Sequence, residues 1–202
     1  MRLFWNKLKK IGRARQRGYL EKTNRARPLT ENVMKLVLSD RALDLTPSDR
    51  FRFVDLSKLK INNCIGCFGC WTKTPGKCVI RDDATNVYPL IAASDEVIYV
   101  SRVKYGGYDV IMKTMLERAI PIQQAFIRLV HGETHHVQRA VAPKRALIVG
   151  YGDISKEERE LFLRLIARNA HNMNFASHRV LFASEEEAEA LVKKEVSAWT
   201  NS

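Results

Sequence analysis

No apolar run in this 202-residue chain approaches the roughly 18 residues needed to cross a bilayer, and its start lacks the apolar core of a secretory signal. The sequence therefore predicts a cytoplasmic protein that spans no membrane. Acidic residues are nearly missing from the first 27 positions, where Glu21 stands against ten Lys or Arg and the segment supplies nine of the twelve net positive charges. Such an arm attracts phosphates, anionic lipid or acidic protein surfaces. It carries no helix-turn-helix, zinc-finger or RNP pattern, and its aromatics cluster at Phe4 and Trp5, which excludes sequence-specific nucleic-acid reading. There is no internal repeat and no low-complexity tract. Cysteine is missing everywhere except residues 64–78.

What is present fits one domain, residues 28–202, behind a basic N-terminal arm, residues 1–27. Within the arm, Met1, Phe4, Trp5, Leu8 and Ile11 at helical spacing with interleaved lysines predict a short basic amphipathic helix. It suits packing on its own domain or a partner, contact with a membrane surface, or, third, a transit peptide. Thereafter helix-period and strand-like segments alternate. "LTENVMKLVLSDRAL" reads as a helix with Leu29, Val33, Leu36, Val37 and Leu43 on one side, and "RFRFVDL" as a short strand. "NVYPLIAAS" reads as a helix, "DEVIYVS" as a buried strand, and "YDVIMKTMLERAI" as a helix that Pro121 should stop. "KRALIVGYG" and "HRVLFAS" are further strands. Each precedes a capping-box start, Ser155 with Glu158 and Ser184 with Glu187. Alternation of this kind predicts an α/β fold with a doubly wound parallel sheet.

Cys64, Cys67, Cys70 and Cys78 lie within "NNCIGCFGCWTKTPGKC". Reduced surroundings and the tight spacing argue against disulfides, and zinc sites usually draw two short pairs from separate segments. C-x2-C-x2-C is the compact pitch that wraps an iron–sulfur cube, with Cys78 as a fourth ligand, and Gly66, Gly69 and Gly76 would let the chain turn tightly. Metal-free thiols are the remaining reading. "HGETHH" gathers His131, Glu133, His135 and His136, either as metal donors or as a solvent-facing or dimer-contact loop. His171 and His178 read as ordinary helix-end and strand-start residues.

The stretches "CIGCFGCW", "PGKCVIRDD", "AASDEVIYVSRVKYGGY" and "MKTMLERAIP" resemble the iron–sulfur flavoproteins and the wider group of flavodoxin-like NAD(P)H-dependent FMN reductases. Asp82 and Asp83 match an acidic pair, Ser101, Val103, Tyr105, Gly106 and Gly107 match a strand-ending turn, and Lys113 and Arg118 match a helix motif, with Glu117 in place of Asp. The resemblance implies a five-stranded sheet in the order 2-1-3-4-5 with FMN at its carboxyl edge, where the strand order reverses. It implies that the turn lines the isoalloxazine ring and that the four cysteines hold a [4Fe-4S] cluster. It also implies electron transfer to a protein or small acceptor, NAD(P)H as a donor, and a homo-oligomer. Thr23, Arg25 and Thr30 fall at the positions of the phosphate loop, with Arg27 adding charge. The chain departs from the family there: Lys22 stands at the glycine position, and Tyr19 and Leu20 are all that remains of an apolar first strand. Either a short polar strand or another segment fills that place, or the phosphate site is lost. In that last case the chain is a scaffold without FMN, binding partners through its arm.

Overall fold

The computed structural model describes residues 34–46, 48–130 and 132–200. The arm, Thr23, Arg25, Arg27 and Thr30 lie outside the described residues, as does His131. In chain order the elements are β1 (Lys35–Ser39), β2 (Arg52–Asp55), α1 (Gly69–Thr72), α2 (Ala84–Ala93), β3 (Glu96–Lys104), β4 (Gly107–Tyr108), α3 (Val110–Glu117), β5 (Gln123–Val130), β6 (Glu133–Gln138), β7 (Lys144–Tyr151), α4 (Lys156–Asn172), β8 (Phe175–Ala183) and α5 (Ala188–Thr200). The main sheet runs β2-β1-β3-β7-β8, all parallel, with β4 folded back antiparallel on β3. Counting these five parallel strands in sequence gives the order 2-1-3-4-5.

One expectation is corrected here. "KLVLS" is a strand, not part of a helix, and it occupies the central place for which Tyr19 and Leu20 had been the candidates. Leu36, Val37 and Leu38 are all fully buried because consecutive side chains go to opposite faces and both faces are covered. A continuous apolar run with Leu43 beyond it imitates helical spacing, so periodicity alone misreads it. On one face Leu36, Leu38, Val97, Tyr99 and Ile148 pack with α2, α3 and α4; on the other Val37, Ile98, Val100, Leu147 and Val149 pack with Val192 and Val196 of α5.

The crossover from β1 to β2 is unusual for such a sheet. Among the described residues it holds no helix. Leu43 and, half-buried, Leu45 and Phe51 from this connection pack on the α5 side. Other boundaries follow local chemistry. Ser155 Oγ accepts from Glu158 N and Glu158 Oε2 accepts from Ser155 N, both at 3.2 Å, and Ser184 and Glu187 repeat the arrangement before α5. Helix α3 stops at Glu117, and Pro121 falls in a single 3-10 turn, Ile120–Ile122, that leads into β5. The β5–β6 hairpin was not foreseen; most of β5 is exposed on both sides, so it carries no alternation of apolar and polar residues.

Candidate cofactor sites

The cysteine loop leaves the carboxyl end of β2 and returns at α2. Its base is closed by carboxylates: Lys60 N donates to Asp83 Oδ2 at 2.7 Å, and Asn62 N and Nδ2 donate to Asp82 Oδ2 at 2.9 and 3.1 Å. Arg118, the C-cap of α3 and 1 % exposed, grips the same base. Its Nη1 donates to Asp82 Oδ2 and to Asn62 O, both at 2.6 Å, and its Nη2 donates to Asp82 Oδ1 at 2.8 Å and Cys78 Sγ at 3.4 Å. Burial alone would raise the Asp82 carboxyl, but the hydrogen bonds from Arg118 and Asn62 outweigh it and hold it at about 2. Sequence comparison marked Asp82 and Arg118 as motif residues, and the structure supplies their physical role as a buried fork-to-carboxylate clamp.

Inside the loop, Gly66 and Phe68 take left-handed backbone at φ of 64° and 52°, which turns the chain between successive cysteines. Cys64 and Cys67 are exposed, Cys70 is buried and Cys78 is half-buried. Burial pushes the Cys70 thiol up, and the neighbouring Cys78, Cys64 and Cys67 add to the rise. The donor set suits a thiolate-held cluster in kind. Among the described residues, however, no three His, Cys, Asp or Glu side chains are gathered into a metal-holding array. Trp71 of α1 anchors the loop elsewhere, its Nε1 donating to Ile120 O at 3.4 Å and its ring lying 4.7 Å from that of His136.

The residues expected to form a strand-ending turn begin deep in the fold, because β3 continues through Lys104. Ser101 is fully buried and Val103 nearly so, whereas Tyr105 is 83 % exposed with φ of 53°, followed by Gly106 at 70°. Gly107 pairs back onto Lys104. A residue the sequence did not single out sits beside it: Asp40, directly after β1. Asp40 Oδ2 accepts from Ser101 Oγ at 2.9 Å and Arg102 N at 2.8 Å, and Oδ1 accepts from Tyr151 Oη at 2.8 Å. Burial raises its pKa, with these three bonds opposing. The guanidinium groups of Arg41 and Arg102 lie over the Tyr151 ring, and Glu185 binds both arginines. A polar residue ending a buried strand, "LVLSD", was the available signal.

This network bears on FMN. The carboxyl ends of β1 and β3 flank the place where the strand order reverses. There the described residues present a carboxylate, two guanidinium groups already paired with Glu185 and no helix N-terminus, so they form no cradle for a phosphate. The turn itself remains open to solvent at Tyr105.

The histidine loop resolves as a structural tie. His135 Nε2 lies 3.0 Å from Glu133 Oε2 and its Nδ1 lies 3.0 Å from Asn172 Oδ1, while Glu133 also pairs with Arg168. These contacts bind the hairpin to α4.

Fold and loop together define the class: a flavodoxin-like α/β protein with a clamped four-cysteine loop. No family model matches the chain. The chain is similar to an iron–sulfur flavoprotein of Archaeoglobus fulgidus, 43 % identical over 68 residues covering 34 % of this chain and 30 % of that one. It is also similar to an iron–sulfur flavoprotein of Methanocaldococcus jannaschii, 34 % identical over 74 residues and 37 % of each chain. The matches thus span about a third of these relatives. Among solved structures, an FMN-dependent NADH-azoreductase from Bacillus anthracis in complex with FMN aligns with a TM-score of 0.52 at 10 % identity, over 84 % of this chain and 98 % of that one. A putative quinone reductase from Klebsiella pneumoniae aligns at 0.50 and 12 % identity, over 83 % and 82 %. Both likenesses concern the fold.

Proposed function

We propose that this chain is an electron-transfer oxidoreductase of the iron–sulfur flavoprotein kind, with FMN at the turn after β3 and a [4Fe-4S] cluster on Cys64, Cys67, Cys70 and Cys78. The observation that carries the reading is the role of α3. Its N-cap Asp109 ties to β3, Asp109 N donating to Arg102 O at 3.0 Å, and its C-cap Arg118 clamps the cysteine loop, so one short helix joins the turn to the loop, which supports reading them as neighbouring sites. A bound flavin supplies two-electron chemistry and a cluster supplies single-electron steps. In this reading Ser101, Val103, Tyr105, Gly106 and Gly107 bound the ring, and the Arg118 guanidinium offsets negative charge at the Cys78 sulfur. Because Asp40 stands where a phosphate loop would begin, the proposed phosphate partners are Thr23, Arg25, Arg27 and Thr30. The names of the sequence relatives support the reading.

The proposed donor is NAD(P)H and the acceptor a redox protein or small molecule, with a second copy of the chain completing the assembly and the arm meeting an acidic or membrane surface. Among the described residues no helix is long and apolar enough to cross a membrane. Anaerobic purification followed by an absorption spectrum and assays for iron, zinc and acid-released FMN tests the proposal. Flavin bands with about four iron per chain are expected. Protein with neither iron nor flavin would overturn it.

A further inference from the structure

Cys78 is held differently from the other three cysteines. Its backbone N donates to Tyr88 Oη of α2 at 3.2 Å, and its sulfur accepts from Arg118 Nη2 at the end of α3 at 3.4 Å. Among the described residues no other cysteine sulfur accepts a hydrogen bond from a cation. The loop carries further positive charges at Lys60, Lys73, Lys77 and Arg81, but all four are exposed. Water and salt screen charges in that position.

Arg118 and Asp82 stand apart from these. Their side chains are 1 % and 6 % exposed and pair at 2.6 Å, while the same guanidinium reaches Cys78 through its other nitrogen. Charges withdrawn from water interact with little screening, so both members of the pair act on any charge that develops at the Cys78 sulfur. They act with opposite signs: the guanidinium stabilises added negative charge there and the carboxylate opposes it. Removing either one therefore changes the electrostatics at Cys78 in a direction that its role in closing the loop does not predict.

We propose that the Arg118–Asp82 pair sets the reduction potential of the iron–sulfur group held at Cys78, the guanidinium raising it and the carboxylate lowering it. The inference rests on the cluster reading given above and extends it to residues that are not ligands. Both act through Cys78 and are positioning residues by charge. In the reduction concerned the iron–sulfur group takes up one electron, supplied in the test by dithionite, and no bond to either side chain forms or breaks.

The test is an anaerobic redox titration of the full chain with dithionite, followed by visible absorption and by the paramagnetic resonance of the reduced protein, after its iron content has been measured. At the wild-type midpoint potential, Asp82→Asn should raise the ratio of reduced to oxidised protein about tenfold and Arg118→Gln should lower it about tenfold, each a shift of about 59 mV for one electron. The double variant should return close to the wild-type ratio, because both charges are gone. Tyr88→Phe removes a hydrogen bond to the same cysteine and no charge, so it should leave the ratio within about twofold. A pair that only holds the loop closed would move the ratio in the same direction in both single variants, and that result would overturn the proposal. So would an unchanged ratio in Asp82→Asn, whose amide oxygen still accepts from Arg118 and which suffices for the test where Arg118→Gln does not fold. Protein that carries iron but shows no response to these substitutions defeats this proposal alone. Protein without iron defeats the cluster reading and this proposal with it.

Discussion

At the scale of single residues, two buried cations behave in opposite ways. Arg118 is held through both Nη atoms by Asp82, Asn62 and Cys78, so its charge is matched by partners although its buried Nε has none. Removing it strands a buried carboxylate, and Arg118→Met should cost about 3–5 kcal/mol in denaturant unfolding. Asp82→Asn in the same background should recover part of that loss, because the stranded charge is gone. Lys144, 1 % exposed, has a poorer arrangement: its Nζ donates to Ala142 O at 2.6 Å, and burial lowers its pKa to about 8 against a partial opposing pull from Asp95. Between pH 8 and 10.5 the unfolded chain holds a proton at this lysine that the native chain has released, so stability rises with pH across that window. Lys144→Met should therefore be more stable than the wild type by about 1–3 kcal/mol at pH 7, and the difference should close by pH 10.5. Parallel urea titrations of the two proteins at both pH values measure it, and a constant difference would contradict the assignment.

At the scale of elements, the sequence was most legible where local chemistry decides structure. The capping pairs at Ser155 and Ser184 fix two helix starts whatever surrounds them, and "DEVIYVS" and "KRALIVG" are too short and β-branched to be helices. It was least legible where tertiary context decides. The strand β1 was hidden because a chain buried on two faces shows no alternation, and β5 because a chain exposed on two faces shows none either. The site follows the same rule. The cysteines and the turn stand out as motifs, whereas the Asp40 network joins residues 61 and 111 positions apart that only the sheet brings together. The turn also makes a specific demand on Gly106. Its φ of 70° disfavours any side chain, and an added Cβ would stand 2.5 Å from Leu161 Cδ2 of α4. Gly106→Ala should destabilise by about 1–3 kcal/mol, and a double variant with Leu161→Ala should recover only part of that, because it removes the Cγ and Cδ2 clashes but keeps Leu161 Cβ 2.8 Å from the added methyl and the backbone strain as well. Thermal unfolding of the two variants measures the recovery.

At the scale of the whole molecule, charge and topology point to one question, which is where a cofactor phosphate would go. Nine of the twelve net charges lie in residues 1–27, and the domain that follows has little basic excess to attract an anion. The sheet keeps its doubly wound order, yet the β1–β2 crossover shows no helix among the described residues, and Asp40 sits at the first position beyond β1. The carboxylate there repels a phosphate, and the Arg41 and Arg102 guanidinium groups beside it are already paired with Glu185. The proposed redox reading then requires phosphate recognition from the segment that precedes β1, which is a claim about Arg25 separable from any claim about the ring. FMN and riboflavin share the ring and differ in the phosphate. The wild-type chain should bind FMN more tightly than riboflavin. Arg25→Ala should lower FMN affinity about tenfold, the scale of one charge-assisted hydrogen bond, while leaving riboflavin affinity unchanged. Flavin fluorescence quenching reads both affinities in one experiment. Equal affinities in the wild type would mean that the ring alone is recognised and that Thr23, Arg25, Arg27 and Thr30 do not hold the phosphate. Asp40→Asn should then raise FMN affinity above that of riboflavin, because the carboxylate would be the one group keeping the phosphate out.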